Sequence, residues 1–307
     1  MSTLVFGHKS PDTDSTGSPV VWAWYLNEVK GHTAEPVLLG EPNTEAAFVL
    51  EHWNLDKPRI IDDLVAGDEV IVVDTNNPAE LPNTIASAEI RQIIDHHRLV
   101  GGLETKAPID VTVRPLACTA TIMHDMMGED ANRMPDAIKG AMLSCILSDT
   151  LEFRSPTTTE HDRDLAERLA KDLGLEIPAY ASKMFAAKSD VSAFSDTELL
   201  RIDSKHHEVG GASFRVSVLE TTAPETVMNR KDGIIQAMEQ VAKEDGVDHV
   251  LFFVVDILEG QATLFLPNED VRKVAEKSFS TPCKSGDTVT LPGVVSRKKQ
   301  IIPNLQA

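Results

Sequence analysis

The sequence predicts an α/β protein: a parallel-sheet N-terminal domain followed by a smaller, mixed-sheet α/β C-terminal domain. Three observations carry that prediction. The runs EVIVVD (residues 69–74) and IRQIID (residues 90–95) have the length and apolar character of strands covered on both faces. Helical patterns alternate with such runs through the first half, the βαβα order of a parallel sheet. In the second half, paired runs meet at Gly210-Gly211 and at Glu259-Gly260, hairpin signals that a purely parallel sheet lacks.

Residues 3–6 (TLVF) read as the first strand, followed by a polar loop and an amphipathic helix over residues 19–30. The strands at 69–74 and 90–95 each close on an acid with polar residues after it. Helices are expected at 117–127, 135–148, 160–173 and 178–187. The polar segment Ser189-Asp190-Val191-Ser192-Ala193 lies between helical patterns and reads as a linker or hinge, which sets the domains at residues 1–188 and 194–307. Strands at 202–209 and 213–219, a helix at 225–244, and strands at 249–258 and 261–266 build the second domain.

Composition narrows the function classes. The 307 residues hold 48 acids and 29 Lys plus Arg, a formal charge of -19. A surface built to grip nucleic acid or an anionic membrane would be repelled by its target at that charge. The acid is concentrated: residues 1–188 carry 30 acids and 16 bases, the remainder 18 and 13. No apolar stretch approaches the length needed to span a bilayer. The N-terminal residues lack the basic and apolar regions of a signal peptide, and three widely spaced cysteines form no disulfide framework, so a cytoplasmic setting is expected.

Five groups of residues can carry chemistry. Gly7-His8-Lys9-Ser10-Pro11-Asp12-Thr13-Asp14 places an imidazole and two carboxylates just after a strand; crowded like charges favour a cation between them, although the same residues suit an Asx-turn loop. Asp74 closes the second strand, where an N-cap is the alternative role. Asp95-His96-His97 closes the third: adjacent histidines on extended backbone point in different directions, so one can bind metal while the other faces a substrate. The doublet His206-His207, with no strand-terminal acid before it, shows that such pairs also arise without a motif. Asp149 ends a helix, where an acid opposes the helix dipole unless a cation relieves it. Arg297-Lys298-Lys299, with Lys205 from the same domain, suits phosphate oxygens. Together, His and Asp donors in one domain and cations in the other describe a centre for two divalent metals and a phosphate ester or anhydride.

In this order, GHKSPDTDS, VVDTN, IIDHH, LSDT and SRKKQIIP resemble the manganese-dependent (family II) inorganic pyrophosphatases of the DHH phosphoesterase superfamily, over residues 4–303. The resemblance implies a site in the interdomain cleft. It implies that His8, Asp12 and Asp74 bind one Mn²⁺ and that Asp14, Asp74, His96 and Asp149 bind a second, with Co²⁺ as a substitute and Mg²⁺ arriving with substrate. Lys205, Arg297 and Lys298 would clamp phosphate, His97 would face the bridging or leaving oxygen, and a water bridging the metals would attack. It further implies pyrophosphate as substrate and a homodimer through the first domain. The rival readings are an exopolyphosphatase or a phosphodiesterase trimming short oligonucleotides, which a 5% aromatic content disfavours for want of base-stacking platforms, and a non-catalytic metal or nucleotide sensor.

Overall fold

The structure is a computed structural model that describes residues 2–202, 204–283 and 287–306; the side chains of Lys298 and Lys299 lie outside the described set. The chain divides into two compact units, Met1–Lys188 and Ser189–Ala307.

The first unit is built on a six-stranded sheet. Its strands are β1 (Thr3–Phe6), β2 (Ala34–Leu38), β3 (Arg59–Ile60), β4 (Glu69–Val73), β5 (Glu89–Asp95) and β6 (Asp110–Val113), in the spatial order β3-β2-β1-β4-β5-β6. Every pairing is parallel. Val5, Phe6, Val72, Val73 and Ile94 are sealed from solvent, as strands covered on both faces require. The chain builds outward from β1 to β3 and then crosses back to β4. The order therefore reverses between β1 and β4, and the carboxyl ends of those strands flank the crevice where open α/β sheets take their ligands.

The covering helices are α1 (Thr13–Trp24), α2 (Thr44–His52), α3 (Thr119–Met127), α4 (Asp136–Asp149), α5 (Glu160–Leu173) and α6 (Ile177–Lys188). The first of them corrects the sequence reading. Pro19 suggests a helix start, but the helix begins six residues earlier because Asp12 caps it, accepting from the Ser15 N–H at 2.9 Å. Pro19 then sits inside α1, where it removes one helical hydrogen bond. The sequence reading also passes over β2, β3, β6 and α2. β3 has two residues and β6 is half exposed, so neither shows the apolar run that marks β4 and β5.

In the second unit, α7 (Asp196–Leu199) precedes β7 (Ser204–Val209) and β8 (Ala212–Thr221). Next come α8 (Glu225–Met228), α9 (Lys231–Asp245), β9 (His249–Asp256), β10 (Gln261–Phe265), α10 (Glu269–Phe279), β11 (Thr288–Pro292) and α11 (Ile302–Asn304). The sheet order is β11-β10-β9-β8-β7, with β8 and β9 parallel and the other neighbours antiparallel, so the sheet is mixed. Both expected hairpins form. At β7–β8, Gly210 and Gly211 adopt φ of 60° and 88°, which the tight turn demands. The single helix expected over 225–244 is two, α8 and α9, and α10 and β11 are additions. Apolar clusters fill both faces of the sheet, Phe214, Val216 and Ile301 on one, Ile234, Met238 and Phe252 on the other.

Candidate metal centre

Each proposed donor of the first unit stands where an element begins or ends. His8 follows β1 by one glycine. A Cβ on Gly7 would lie 2.0 Å from Ser15 Oγ and 2.8 Å from its carbonyl oxygen, so only glycine lets the loop pass the start of α1. Ser15 Oγ in turn accepts from the His8 N–H at 2.7 Å. Asp12 is the cap of α1 and Asp14 lies in its first turn. Asp74 follows β4 with φ of 58°, a left-handed conformation that costs a non-glycine residue roughly 1–2 kcal/mol. In that conformation its Oδ2 lies 3.6 Å from His8 Nε2 and its Oδ1 lies 3.3 Å from His96 Nε2. Asp149 is the last residue of α4.

The structure brings these six residues into two groups of mutually close donor atoms, His8 with Asp12 and Asp74, and Asp14 with His96 and Asp149. Asp74 also groups with His96 and His97. The imidazoles are oriented from behind. His8 Nδ1 donates to the Lys9 carbonyl at 2.7 Å and His96 Nδ1 to the Leu116 carbonyl at 3.2 Å, so both Nε2 lone pairs face carboxylates. A lone pair facing a carboxylate is repulsive unless a proton or a metal ion lies between.

The charge pattern supports the same conclusion. Burial, with the charges of Asp14 and Asp12, pushes the Asp74 carboxyl well above the ordinary carboxylate range; burial, Asp14 and Asp74 do the same to Asp149. Asp149 Oδ2 is fully enclosed and has no hydrogen-bond partner among the described residues. Burial pulls His8 down, but its hydrogen bond and charge interaction with Asp12, the Lys9 carbonyl and the Asp74 charge outweigh it and hold His8 at about 9. Carboxylates forced together, an orphaned oxygen and inward-facing imidazole nitrogens fit divalent cations, and the mixed donor set suits Mn²⁺ better than Mg²⁺.

Several supporting residues, Asp95 of the Asp-His-His triplet aside, were not visible in the sequence. Thr119, at the start of α3, donates its N–H to Asp14 at 2.7 Å and its hydroxyl to Asp74 at 3.1 Å. Ser18 donates to the other Asp14 oxygen. Buried Asp95 accepts from the backbone and Nδ1 of His97, and Asn76 donates to its second oxygen while binding Arg98 and Val100 of the following loop. Asp162 accepts from the Ala117 N–H, bracing the loop whose Leu116 carbonyl holds His96. Their only sequence signal was position: Thr119 opens a helix and Asp162 belongs to a capping box. Asp12, Asp74, His96, His97 and Asp149 line a recess of about 380 Å³, a size that takes a small ligand.

In the second unit, Lys205 is exposed on β7 and Arg297 opens the turn Arg297–Ile301. Gln300 secures that turn: its Oε1 accepts from the Val295 and Ser296 N–H groups and its Nε2 donates to the Gly293 carbonyl. Lys298 lies on the same turn, with its side chain outside the described residues.

A parallel sheet presenting imidazole and carboxylate donors beyond its β1, β4 and β5 ends defines a candidate divalent-metal centre of an α/β protein. Residues 2–148 match the DHH family N-terminal domain and residues 182–307 the DHHA2 domain. The chain is 34% identical over 304 residues to a Lactobacillus acidophilus protein named "probable manganese-dependent inorganic pyrophosphatase", covering 98% of this chain and 97% of that one. It is 36% identical over 303 residues to a Bacillus cereus protein of the same name, with the same coverage. A Methanococcus jannaschii crystal structure assigned to the family II inorganic pyrophosphatases superposes with a TM-score of 0.63 at 31% identity, covering 99% of this chain and 98% of that one. The chain belongs to the manganese-dependent, family II inorganic pyrophosphatases.

Proposed function

We propose that the chain hydrolyses inorganic pyrophosphate to two phosphates at the centre built by His8, Asp12, Asp14, Asp74, His96 and Asp149. The observation that carries this reading is Asp74, one carboxylate whose two oxygens face the imidazoles of two donor sets. Manganese dependence accords with the names of the relatives. On this reading two ions share Asp74, Co²⁺ can replace Mn²⁺, and Mg²⁺ accompanies the substrate. Bound there, divalent ions would lower the pKa of a coordinated water and draw charge from the phosphoryl oxygens.

The chain's own groups supply the remainder. The hydrogen bond to Asp95 raises His97 above the ordinary histidine range and favours its imidazolium; with Nδ1–H held by Asp95 at 2.9 Å, the Nε2–H of that protonated ring would donate to an oxygen of the departing phosphate. Lys205, Arg297 and Lys298 neutralise phosphoryl charge. Because donors and cations belong to different units, turnover needs both, and residues 189–193 are the proposed hinge; Ser192→Pro, which stiffens it, should lower kcat. Exposed Val111 on edge strand β6, with exposed Leu99 and Val100 in the loop after β5, supports a homodimer through the first unit. Val111→Lys should then lower the sedimentation coefficient to that of a monomer. Three free, buried cysteines agree with a cytoplasmic setting, and no helix of the described residues is long and apolar enough to cross a membrane.

The deciding assay follows phosphate release from pyrophosphate, long-chain polyphosphate and a dinucleotide in Mn²⁺ or Mg²⁺. Pyrophosphate should be cleaved fastest; a preference for either of the others overturns the reading.

A further inference from the structure

Outside the metal centre, a group of basic side chains gathers around His207 on one face of the second-unit sheet. β7 alternates, so Lys205 and His207 share one side while His206 turns to the other, where its Nε2 meets the Arg215 guanidinium at 3.0 Å. The antiparallel register sets Lys205 opposite Val216 and His207 opposite Phe214, both members of the apolar cluster that includes Ile301. Ile301 ends the turn that Arg297 begins, so the core that fixes this turn is the core beneath Lys205 and His207.

His207 is the unusual member. Its Nε2 is enclosed and has no hydrogen-bond partner among the described residues. An enclosed ring nitrogen left unpaired costs on the order of 1–3 kcal/mol, and the native state tolerates few of them. The charged groups acting on the ring are all basic: Arg297 from the turn, Lys205 on its own face and His206 beside it. β8 presents only the phenyl ring of Phe214 opposite, and Arg215 on that strand is drawn to Asp245 instead. Burial first, and then the repulsion of Arg297 and Lys205, hold His207 below the ordinary histidine range. Among the described residues, no carboxylate is recorded in an ion pair with Lys205 or His207.

We propose that His207 is the proton-coupled third member of a phosphate-binding cluster with Lys205 and Arg297, neutral in the free protein and protonated when a phosphate group docks against the three. The proposal rests on the reading of Lys205 and Arg297 as phosphate-binding cations and adds a residue to it. The physical reason is linkage. An anion beside the ring cancels the repulsion from Arg297 and Lys205 and gives the imidazolium an acceptor, so anion binding and proton uptake favour each other. One proton goes from solvent to the ring; no covalent bond changes.

The test is a histidine NMR titration of the full chain in Mg²⁺, which avoids paramagnetic broadening, with the His207 signal assigned by its loss in His207→Gln. Saturating imidodiphosphate, a diphosphate that resists hydrolysis, should raise the His207 midpoint by about one unit or more, equivalent to about tenfold tighter binding to the protonated form. A second arm uses inorganic phosphate. The same shift at higher concentration means the cluster reads a single phosphate group, and a shift with imidodiphosphate alone assigns it to the intact diphosphate. In the hydrolysis assay, His207→Gln should raise KM several-fold at pH 6 and converge on the parent by pH 9, acting on KM more than on kcat. A midpoint unmoved while imidodiphosphate is bound overturns the proposal and leaves pyrophosphate hydrolysis standing. A parent protein that does not hydrolyse pyrophosphate overturns both.

Discussion

Asp95 accepts twice from His97, from its backbone N–H at 3.0 Å and from its imidazole Nδ1–H at 2.9 Å, while its second oxygen takes the Asn76 amide. Both oxygens of the first residue of the Asp-His-His triplet are therefore engaged: it orients the His97 ring, and through Asn76 it ties down the loop up to Val100. Asp95→Asn cannot satisfy both neighbours, because its new amide meets the Asn76 amide, donor against donor. Pyrophosphate turnover should fall about 10–100-fold, the usual loss when a residue orienting a site histidine is changed, with Mn²⁺ content nearly retained. Equal activity in the variant would count against this role for Asp95.

Asp74 faces both imidazole sets, and its loss should differ in kind from the loss of a donor belonging to one. Asp74→Ala should abolish hydrolysis and bring bound Mn²⁺, measured by elemental analysis after dialysis, toward zero. Asp149→Ala should retain about half of the parent's metal. Lys299→Ala, outside the proposed clamp, should be milder than Arg297→Ala. Equal metal loss in the Asp74 and Asp149 variants would contradict the shared carboxylate.

Gly7→Ala tests the close passage of the His8 loop over Ser15. The added methyl group meets both the side chain and the backbone of Ser15, and the backbone sits at the start of a buried helix. The expected destabilisation is about 1–3 kcal/mol, read as a lower thermal midpoint, with weaker Mn²⁺ binding because His8 is displaced. An unchanged midpoint would mean that the loop has room to shift away from Ser15.

The second unit should carry an acid-sensitive ion pair. Burial raises the Asp245 carboxyl, but the Arg201 hydrogen bond and the charges of Arg215 and Arg201 outweigh it and leave it below the ordinary value. A carboxylate whose folded value is depressed stabilises the fold fully above its unfolded value, about 3.9, and loses that contribution as pH falls through the folded value. Asp245→Asn should therefore lower the thermal midpoint at pH 7 and flatten its decline below about pH 4. Parallel curves for parent and variant would remove Asp245 from the acid limb.

The parts of the site that could be read in the chain are those where one short segment holds several donors at an element's end. Residues 8–14, 74, 95–97 and 149 qualify, because apolar runs locate strand ends and strand ends of parallel sheets locate sites. Thr119 could not be read that way: it meets Asp14 across 105 positions, and Thr in a helix start has an ordinary capping explanation. β3 and β6 escaped because they are short, edge-lying and exposed, so they lack the buried run that identifies β4 and β5. Pro19 misled for a related reason, since a proline near a helix start is common and the stronger cap, Asp12, is itself one of the donors.

By itself the sequence determined the α/β alternation, the imidazole and carboxylate groups at element ends of the first half and the basic run late in the second, because periodicity and turn chemistry are local properties of the chain. Only the tertiary structure decided that Asp74 divides its two oxygens between His8 and His96, that Asp149 is left with an unpartnered oxygen, and that His207 turns toward Lys205 while His206 turns away. Those outcomes depend on strand order and register, which pair residues far apart in the chain and which no local pattern specifies.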